Sequence, residues 1–383
     1  MTALDFAKEF NYPEIVDLLT NGPREKIETT DEKKVEFETI KQDKELLLEK
    51  TQEQEETINQ LQQKNCEQAE EINKLKSYLF ALKEKVKDIE FFEISEYEEI
   101  AVIEEGSTSS IKNVIKKEKG KYVKKEMKNF THEMLQRFLL ESEILFKLRH
   151  PCIVRIFGFN NGDETHPPSI VISHEPKSLE SAIKNEELDE SLKNRITVEL
   201  VLGMRYIHEH NFMHRNLKPS NILLSKNRHV RISDFGLSKE ESHESSQTKG
   251  IGALQFMAPE LFEDNNDSYT NKVDVYSFGI TLIFIITDKY PTFSMRNAVM
   301  GVIPQLPSSV VNWVRELIAR CLSQSLENRP SFAQIFEIMK SNNYDMFNEN
   351  IHQSLTTRQQ RMKNLIEERI LKIEAFEYQH QQQ

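Results

Sequence analysis

The residues best suited to chemistry lie in one stretch, His214-Arg215-Asn216-Leu217-Lys218-Pro219-Ser220-Asn221, followed shortly by Asp234-Phe235-Gly236. Asn221 supplies an amide oxygen and Asp234 a carboxylate, the hard donors that a magnesium ion prefers. Asn216 can hydrogen-bond, but its amide is not a base at any physiological pH. Asp234-Phe235-Gly236 alone reads as a common turn, and the segment just upstream is what makes it specific.

Together the two segments resemble the catalytic loop and metal-binding motif of the protein kinase family, H-R-D-L-K-P-x-N and D-F-G. On that resemblance Asn221 and Asp234 hold Mg2+, and Lys218 contacts the γ-phosphate of ATP, as is typical of serine/threonine-type kinases. Asn216 stands where the family carries the aspartate that accepts or orients the substrate hydroxyl's proton. General-base catalysis is worth about 10²–10⁴ in rate, equivalent to roughly 3–5 kcal/mol of barrier. Phosphoryl transfer relies mostly on positioning and charge neutralisation. The resemblance therefore implies impaired transfer with nucleotide binding retained.

The remaining kinase positions follow by register. Ile103 to Ile111 matches the glycine loop, G-x-G-x-x-G, but keeps only Gly106, with Glu104 and Ser109 at the other glycine places. Glycines let backbone N–H groups approach phosphates closely, so this loop is degraded. Lys125 matches the strand lysine and Glu141 its helix partner; the bland reading of Lys125 is a solvated basic face shared with Lys112, Lys116, Lys117, Lys124 and Lys128. Ser169 to Pro176 resembles the strand entering the hinge, with Ile172 as gatekeeper and the backbone of Ser173, His174 and Glu175 meeting adenine. Glu260 in Ala258-Pro259-Glu260 is expected to pair with Arg329, and Asp274 to anchor the catalytic loop. Leu145, Ile156, His214 and Phe235 fit the family's apolar spine. Ser245, Ser246 and Thr248 lie where relatives are phosphorylated, with Arg215 available to such a phosphate. The wording Val275-Tyr276-Ser277-Phe278-Gly279 looks most like the tyrosine-kinase-like group, whose members mostly phosphorylate serine and threonine.

The elements that must position these residues are legible in outline. Val102, Ile111, Ile115 and Val123 sit in short β-like runs, with Lys119-Gly120-Lys121 as a hairpin turn. Leu135, Phe138, Leu139, Ser142, Leu145 and Phe146 form a helical stripe, with Thr131 as a candidate cap. The expected fold class is α+β, a bilobal protein kinase-like domain over 96–341 with a small β-rich lobe and a larger helical one. A polar helical tail, 345–383, carries a partial stripe of Met362, Ile366, Ile370, Ile373 and Phe376. The sequence leaves open whether it packs on the domain, pairs elsewhere or stays free.

Upstream, residues 31–92 are dense in Glu, Lys and Gln and keep a heptad. Position a is Phe37, Lys44, Thr51, Ile58, Asn65, Ile72, Leu79 and Val86; position d is Ile40, Leu47, Gln54, Leu61, Gln68, Leu75, Leu82 and Ile89. Ile or Val at a with Leu at d favours a parallel two-stranded coiled coil, and a buried Asn65 can fix its register. Such a rod is roughly 80–90 Å long at about 1.5 Å per residue, and the expected assembly is a homodimer. The alternative is a single charged helix. Residues 1–22 resemble the two helices of an ankyrin repeat, through Thr2-Ala3-Leu4-Asp5-Phe6-Ala7 and Glu14 to Leu19. One such unit cannot bury its apolar face alone, so earlier repeats of a longer array are expected; the alternative is a chance helix pair.

A net charge of −12 in 383 residues argues against nucleic acid as the main partner. Cys66, Cys152 and Cys321 lack disulfide or metal spacing, which suits a reducing compartment. The apolar run Ile280–Ile286 is too short to span a bilayer, and no secretory signal opens the chain. The expectation is a cytoplasmic protein with protein partners or substrates. Its function is either that of a pseudokinase acting as a dimeric signalling scaffold or that of a weakly active serine/threonine kinase.

Overall fold

The computed structural model describes residues 3–9, 12–21, 48, 50–70, 72–74, 77, 97–105, 109–116, 120–127, 132–160, 167–185, 187–235, 239–240, 254–262, 270–291, 295–348 and 355–381. They fall into two units, 1–70 and 71–383.

The first unit holds helices α1 (Ala3–Glu9) and α2 (Pro13–Asn21) and a helix, α3, over 50–70. Ile15, Leu18 and Leu19 of α2 are exposed, as are the heptad residues Ile58 and Leu61 of α3. The heptad positions from Phe37 to Leu47 and from Leu75 to Ile89 lie outside the described residues. Ile72, a heptad a position, is buried in the core of the second unit.

That unit begins with an antiparallel sheet of β1 (Glu98–Glu105), β2 (Ser109–Lys116), β3 (Gly120–Met127), β4 (Ile156–Asn160) and β5 (Ser169–Ser173), ordered β1-β2-β3-β5-β4. Lys116 faces Gly120 across the β2–β3 hairpin. Gly120 has a φ of 112°, in the left-handed range that glycine enters without a Cβ penalty. Helix α4 (His132–Lys147) follows, and the six residues of its expected stripe are all buried. Thr131 lies outside the described residues.

The helical lobe contains α5 (Leu179–Lys184), α6 (Glu190–Glu209), α7 (Lys272–Thr287), α8 (Met295–Val299), α9 (Asn312–Cys321), α10 (Phe332–Ser341) and α11 (Thr357–Gln381). Side chains cap helix starts, those of α6 and α10 among them, where the first N–H groups have no intrahelical acceptor. Asp189 accepts from the backbone N–H of Leu192 at 2.8 Å, and Ser331 with Gln334 forms a capping box on α10. Helix α7 is apolar on every side and buried from Val273 to Ile285, which makes it the centre of the lobe. A Cβ on its Gly279 would lie 2.9 Å from the Cβ of Cys321, so glycine is required for α7 to approach α9. The apolar run Ile280–Ile286 is this core helix. Among the described residues no helix is long and apolar enough to cross a membrane.

Five short strands finish the lobe among the described residues: β6 (Lys177–Ser178), β7 (Phe212–Met213), β8 (Ile222–Leu224), β9 (Val230–Ile232) and β10 (Lys239–Glu240), with β6, β8 and β9 forming one sheet and β10 pairing with β7. The tail helix α11 packs across α6 and buries Met362, Ile366, Ile370 and Ile373, while Phe376 is half-buried. The Asn194 side chain of α6 ties the two together: its Nδ2 lies 3.1 Å from Met362 Sδ, and its Oδ1 accepts from the Met346 N–H at 3.1 Å. The tail is part of the folded lobe.

Candidate active site

The β8–β9 hairpin places the two oxygen donors. Ile222 faces Ile232 in register, so Asn221 and Ser233 meet at the hairpin's open end. The Asn221 carbonyl accepts from the Ser233 N–H at 3.0 Å and from its hydroxyl at 2.9 Å. Asp234 follows with a φ of 66°. A left-handed aspartate is uncommon and persists where its surroundings hold it. Here Phe235 is buried against His214, with ring centroids 4.9 Å apart. Burial keeps the His214 pKa below its ordinary value. The neutral ring can then donate from Nε2 to the Ser233 carbonyl, 3.0 Å away, and accept at Nδ1 from the Asn216 N–H, 3.3 Å away.

The catalytic-loop backbone is held from α7. The fully buried Asp274 accepts from the N–H of His214 at 2.8 Å and from that of Arg215 at 2.7 Å. Arg215 is left-handed at φ 62°, and these bonds fix that turn. His208 adds a third contact to Asp274 at 2.9 Å. The anchor expected from the sequence is in place.

On the other lobe, Lys125 Nζ lies 2.7 Å from Glu141 Oε2 and 3.6 Å from Asp234 Oδ1. Burial alone would lower the Lys125 pKa. The carboxylates of Glu141 and Asp234 outweigh it and raise the pKa above the ordinary lysine range. Burial likewise pushes the Asp234 carboxyl up, and the Lys125 charge holds it below its ordinary value. The site therefore joins a charged ammonium to an ionised carboxylate. The reading of Lys125 as part of a solvated face fails. Its neighbours Lys112 and Lys124 pair with Glu99 and Glu126 instead.

The register of the sheet gathers the apolar side of the site. Ile111 lies opposite Lys125, while β5 sets Ile172 opposite Val123 and Ile170 opposite Lys125. Cross-strand partners and i, i+2 neighbours share a face, so Ile111, Val123, Lys125, Ile170 and Ile172 line one side. Val123 is the addition here: the sequence placed it in a β-like run but not in the site, because alternation from Lys125 shows a shared face only once the strand register is assigned. His174 and Glu175 follow β5 directly and are half-buried. Gly106, the Glu104 and Ser109 side chains, and Ser245, Ser246 and Thr248 lie outside the described residues.

Asn216 is the departure in geometry as in sequence. Its Nδ2 lies 2.7 Å from Asp234 Oδ2, while Asn221 Nδ2 lies 2.8 Å from the Asn216 carbonyl and 3.3 Å from the same Asp234 oxygen. Asn221 Oδ1 and the Asp234 carboxylate are hard oxygen donors at one locus, the donor set that suits Mg2+. They are the residues that would hold it, and the ion would neutralise phosphate charge there.

A second ion pair seals the helical lobe. Arg329 is fully buried and bidentate to Glu260, at 2.5 and 2.9 Å. Its guanidinium also lies 5.1 Å from the ring centroid of Tyr276.

This sheet-rich lobe, helical lobe and shared site define a two-lobed phosphotransferase fold. The model of the protein kinase domain family matches residues 97–342, and the chain belongs to that family. A probable serine/threonine-protein kinase of Dictyostelium discoideum is 35% identical over 211 residues, covering 54% of this chain and 20% of the relative. The probable serine/threonine-protein kinase SIS8 of Arabidopsis thaliana is 36% identical over 227 residues, covering 55% and 22%. Serine/threonine-protein kinase STY17 of Arabidopsis thaliana is 29% identical over 220 residues, covering 54% and 37%. The chain spans well under half the length of each of these relatives.

Proposed function

We propose that the chain is an ATP- and Mg2+-binding pseudokinase, impaired in phosphoryl transfer, whose output is conformation and dimeric assembly. The observation that carries this reading is Asn216 at the proton-acceptor position, beside an assembled lysine, glutamate and aspartate. Lys125 is paired with Glu141, Asp234 is ionised beside it, and Asp274 holds the loop. A lysine–glutamate pair and an inward metal-binding aspartate are the arrangement that phosphoryl transfer requires. The base is exchanged for an amide that cannot take a proton, and the glycine loop keeps only Gly106, with Glu104 and Ser109 at its other glycine places.

That same assembly, with the serine/threonine kinases among the relatives, supports a second reading: a weakly active kinase that transfers the ATP γ-phosphate to serine or threonine. Lys218 is common to both readings.

Dimerisation through α3 is supported by the exposure of Ile58 and Leu61, apolar a and d residues that no other described residue covers. Exposed Ile15, Leu18 and Leu19 support an ankyrin-like pair that stacks on a further apolar unit. Free thiols at Cys66, Cys152 and Cys321 suit a cytoplasmic setting.

Thermal-shift titration with ATP and Mg2+ tests the binding claim. The parent is expected to gain stability as nucleotide rises, and Lys125→Met to lose most of that gain. No shift in the parent at millimolar ATP contradicts the reading.

A further inference from the structure

Asp234 Oδ2 is occupied by the protein's own donors. Asn216 Nδ2 lies 2.7 Å from it and Asn221 Nδ2 3.3 Å, while Lys125 Nζ approaches Oδ1 at 3.6 Å. The orientation of the Asn216 amide follows from charge: an ionised carboxylate only accepts, so the nitrogen must face it. A carboxylate oxygen offers about two lone-pair sites, and both sites on Oδ2 face N–H groups. An ion of the magnesium type needs such an oxygen at about 2.0–2.1 Å. An amide hydrogen on the same oxygen is in its way, and its partial positive charge opposes the cation. An aspartate at position 216 would have no such hydrogen to give.

We propose that Asn216 is a positioning residue for the metal carboxylate: its amide competes with the divalent cation for Asp234 Oδ2, and so weakens the coupling between cation and nucleotide. The substitution thus does more than remove a base. It supplies a standing donor where the cation would sit, and the nucleotide site becomes less dependent on the ion. The inference rests on the reading of this site as one for nucleotide and magnesium.

Among the described residues the Asn216 side chain makes no other hydrogen bond, and its backbone is held through His214, Arg215 and Asp274. Truncating it therefore removes the competing donor and leaves the loop anchored. The test is the affinity of the full chain for ADP, by calorimetry, in magnesium and again in EDTA. The ratio of the two affinities is the coupling between ion and nucleotide. Asn216→Ala and Asn216→Ser are both expected to raise that ratio about tenfold over the parent, the weight of one hydrogen bond to a charged group. A ratio unchanged or lowered in both variants overturns the proposal while leaving the nucleotide site standing. Failure of parent and variants alike to bind ADP under either condition overturns the site reading, and the proposal with it.

Discussion

His150 Nε2 lies 3.0 Å from Glu377 Oε1, joining the turn after α4 to the end of a helix 227 residues further along the chain. Arg205 of α6 holds the other oxygen of Glu377 at 3.1 Å, and Arg369 of α11 reaches Glu199 of α6 at 3.2 Å. These pairs flank the apolar stripe that α11 buries. The clamp thus reaches the segment that follows the Glu141 helix, and the folded lobe extends past the kinase-family match at residue 342.

If α11 is integral to the lobe, truncating its stripe must cost what a core truncation costs. Ile373 is fully buried, and isoleucine to alanine in a core costs about 2–5 kcal/mol. Urea unfolding of Ile373→Ala is expected to show that loss. A change below about 1 kcal/mol, within the range of a surface substitution, would mean that the helix is only loosely placed.

Acidification should weaken the clamp in two stages. Burial holds the His150 pKa below its ordinary 6.5. Burial pushes the Glu377 and Glu199 carboxyls up, but hydrogen bonds from His150 and His229, with Arg205 and Arg369 nearby, hold both below the ordinary 4.5. For each group the folded pKa lies below the unfolded one, so its stabilisation is full above the unfolded value and lost as pH falls through the folded value. Stability is expected to decline below about pH 6.5 through His150 and again below about pH 4.5 through the carboxylates. Glu377→Gln should flatten the second limb in urea melts taken across that range. An unchanged profile would remove Glu377 from the account.

The Glu260–Arg329 pair makes a sharper demand. Glu260→Ala leaves the fully buried Arg329 guanidinium without its carboxylate, a loss of about 3–5 kcal/mol when one partner of a buried pair is removed. The Arg329 contacts to the carbonyls of Ser323 and Lys272 offset part of this. Chemical denaturation should place the variant near the low end of that range. A neutral result would show that the segment around Glu260 relaxes away from α7.

The sequence carried the frame of the site and left its finer geometry unread. The stripe from Leu135 to Phe146 was legible because helical periodicity is local, and all six residues are buried. Lys125, Glu141, Asp234, Asp274 and the Glu260–Arg329 pair were legible by resemblance, since fixed roles recur at fixed spacing. The docking of α11 was not. Met362 to Ile373 marked an apolar face, but its acceptor depends on Asn194, Arg205 and Glu199 of α6, more than 150 residues away in sequence. The Asn216–Asp234 bond was hidden for a related reason. The substitution announced a missing base, whereas the donor it introduced matters only once a hairpin brings residue 234 within 2.7 Å.

The central claim, a kinase site with Lys125, Glu141 and Asp234 brought together around an asparagine at the base position, is tested most directly by phosphate transfer from ATP to the chain itself and to a generic protein substrate. The parent would be run beside Lys125→Met and Asn216→Asp. Near-silence in the parent and in Lys125→Met, with activity rising in Asn216→Asp by about 10²–10⁴, is the result this account predicts. Activity in the parent that Lys125→Met abolishes and Asn216→Asp does not raise would contradict it, and would make the chain a kinase that works with asparagine.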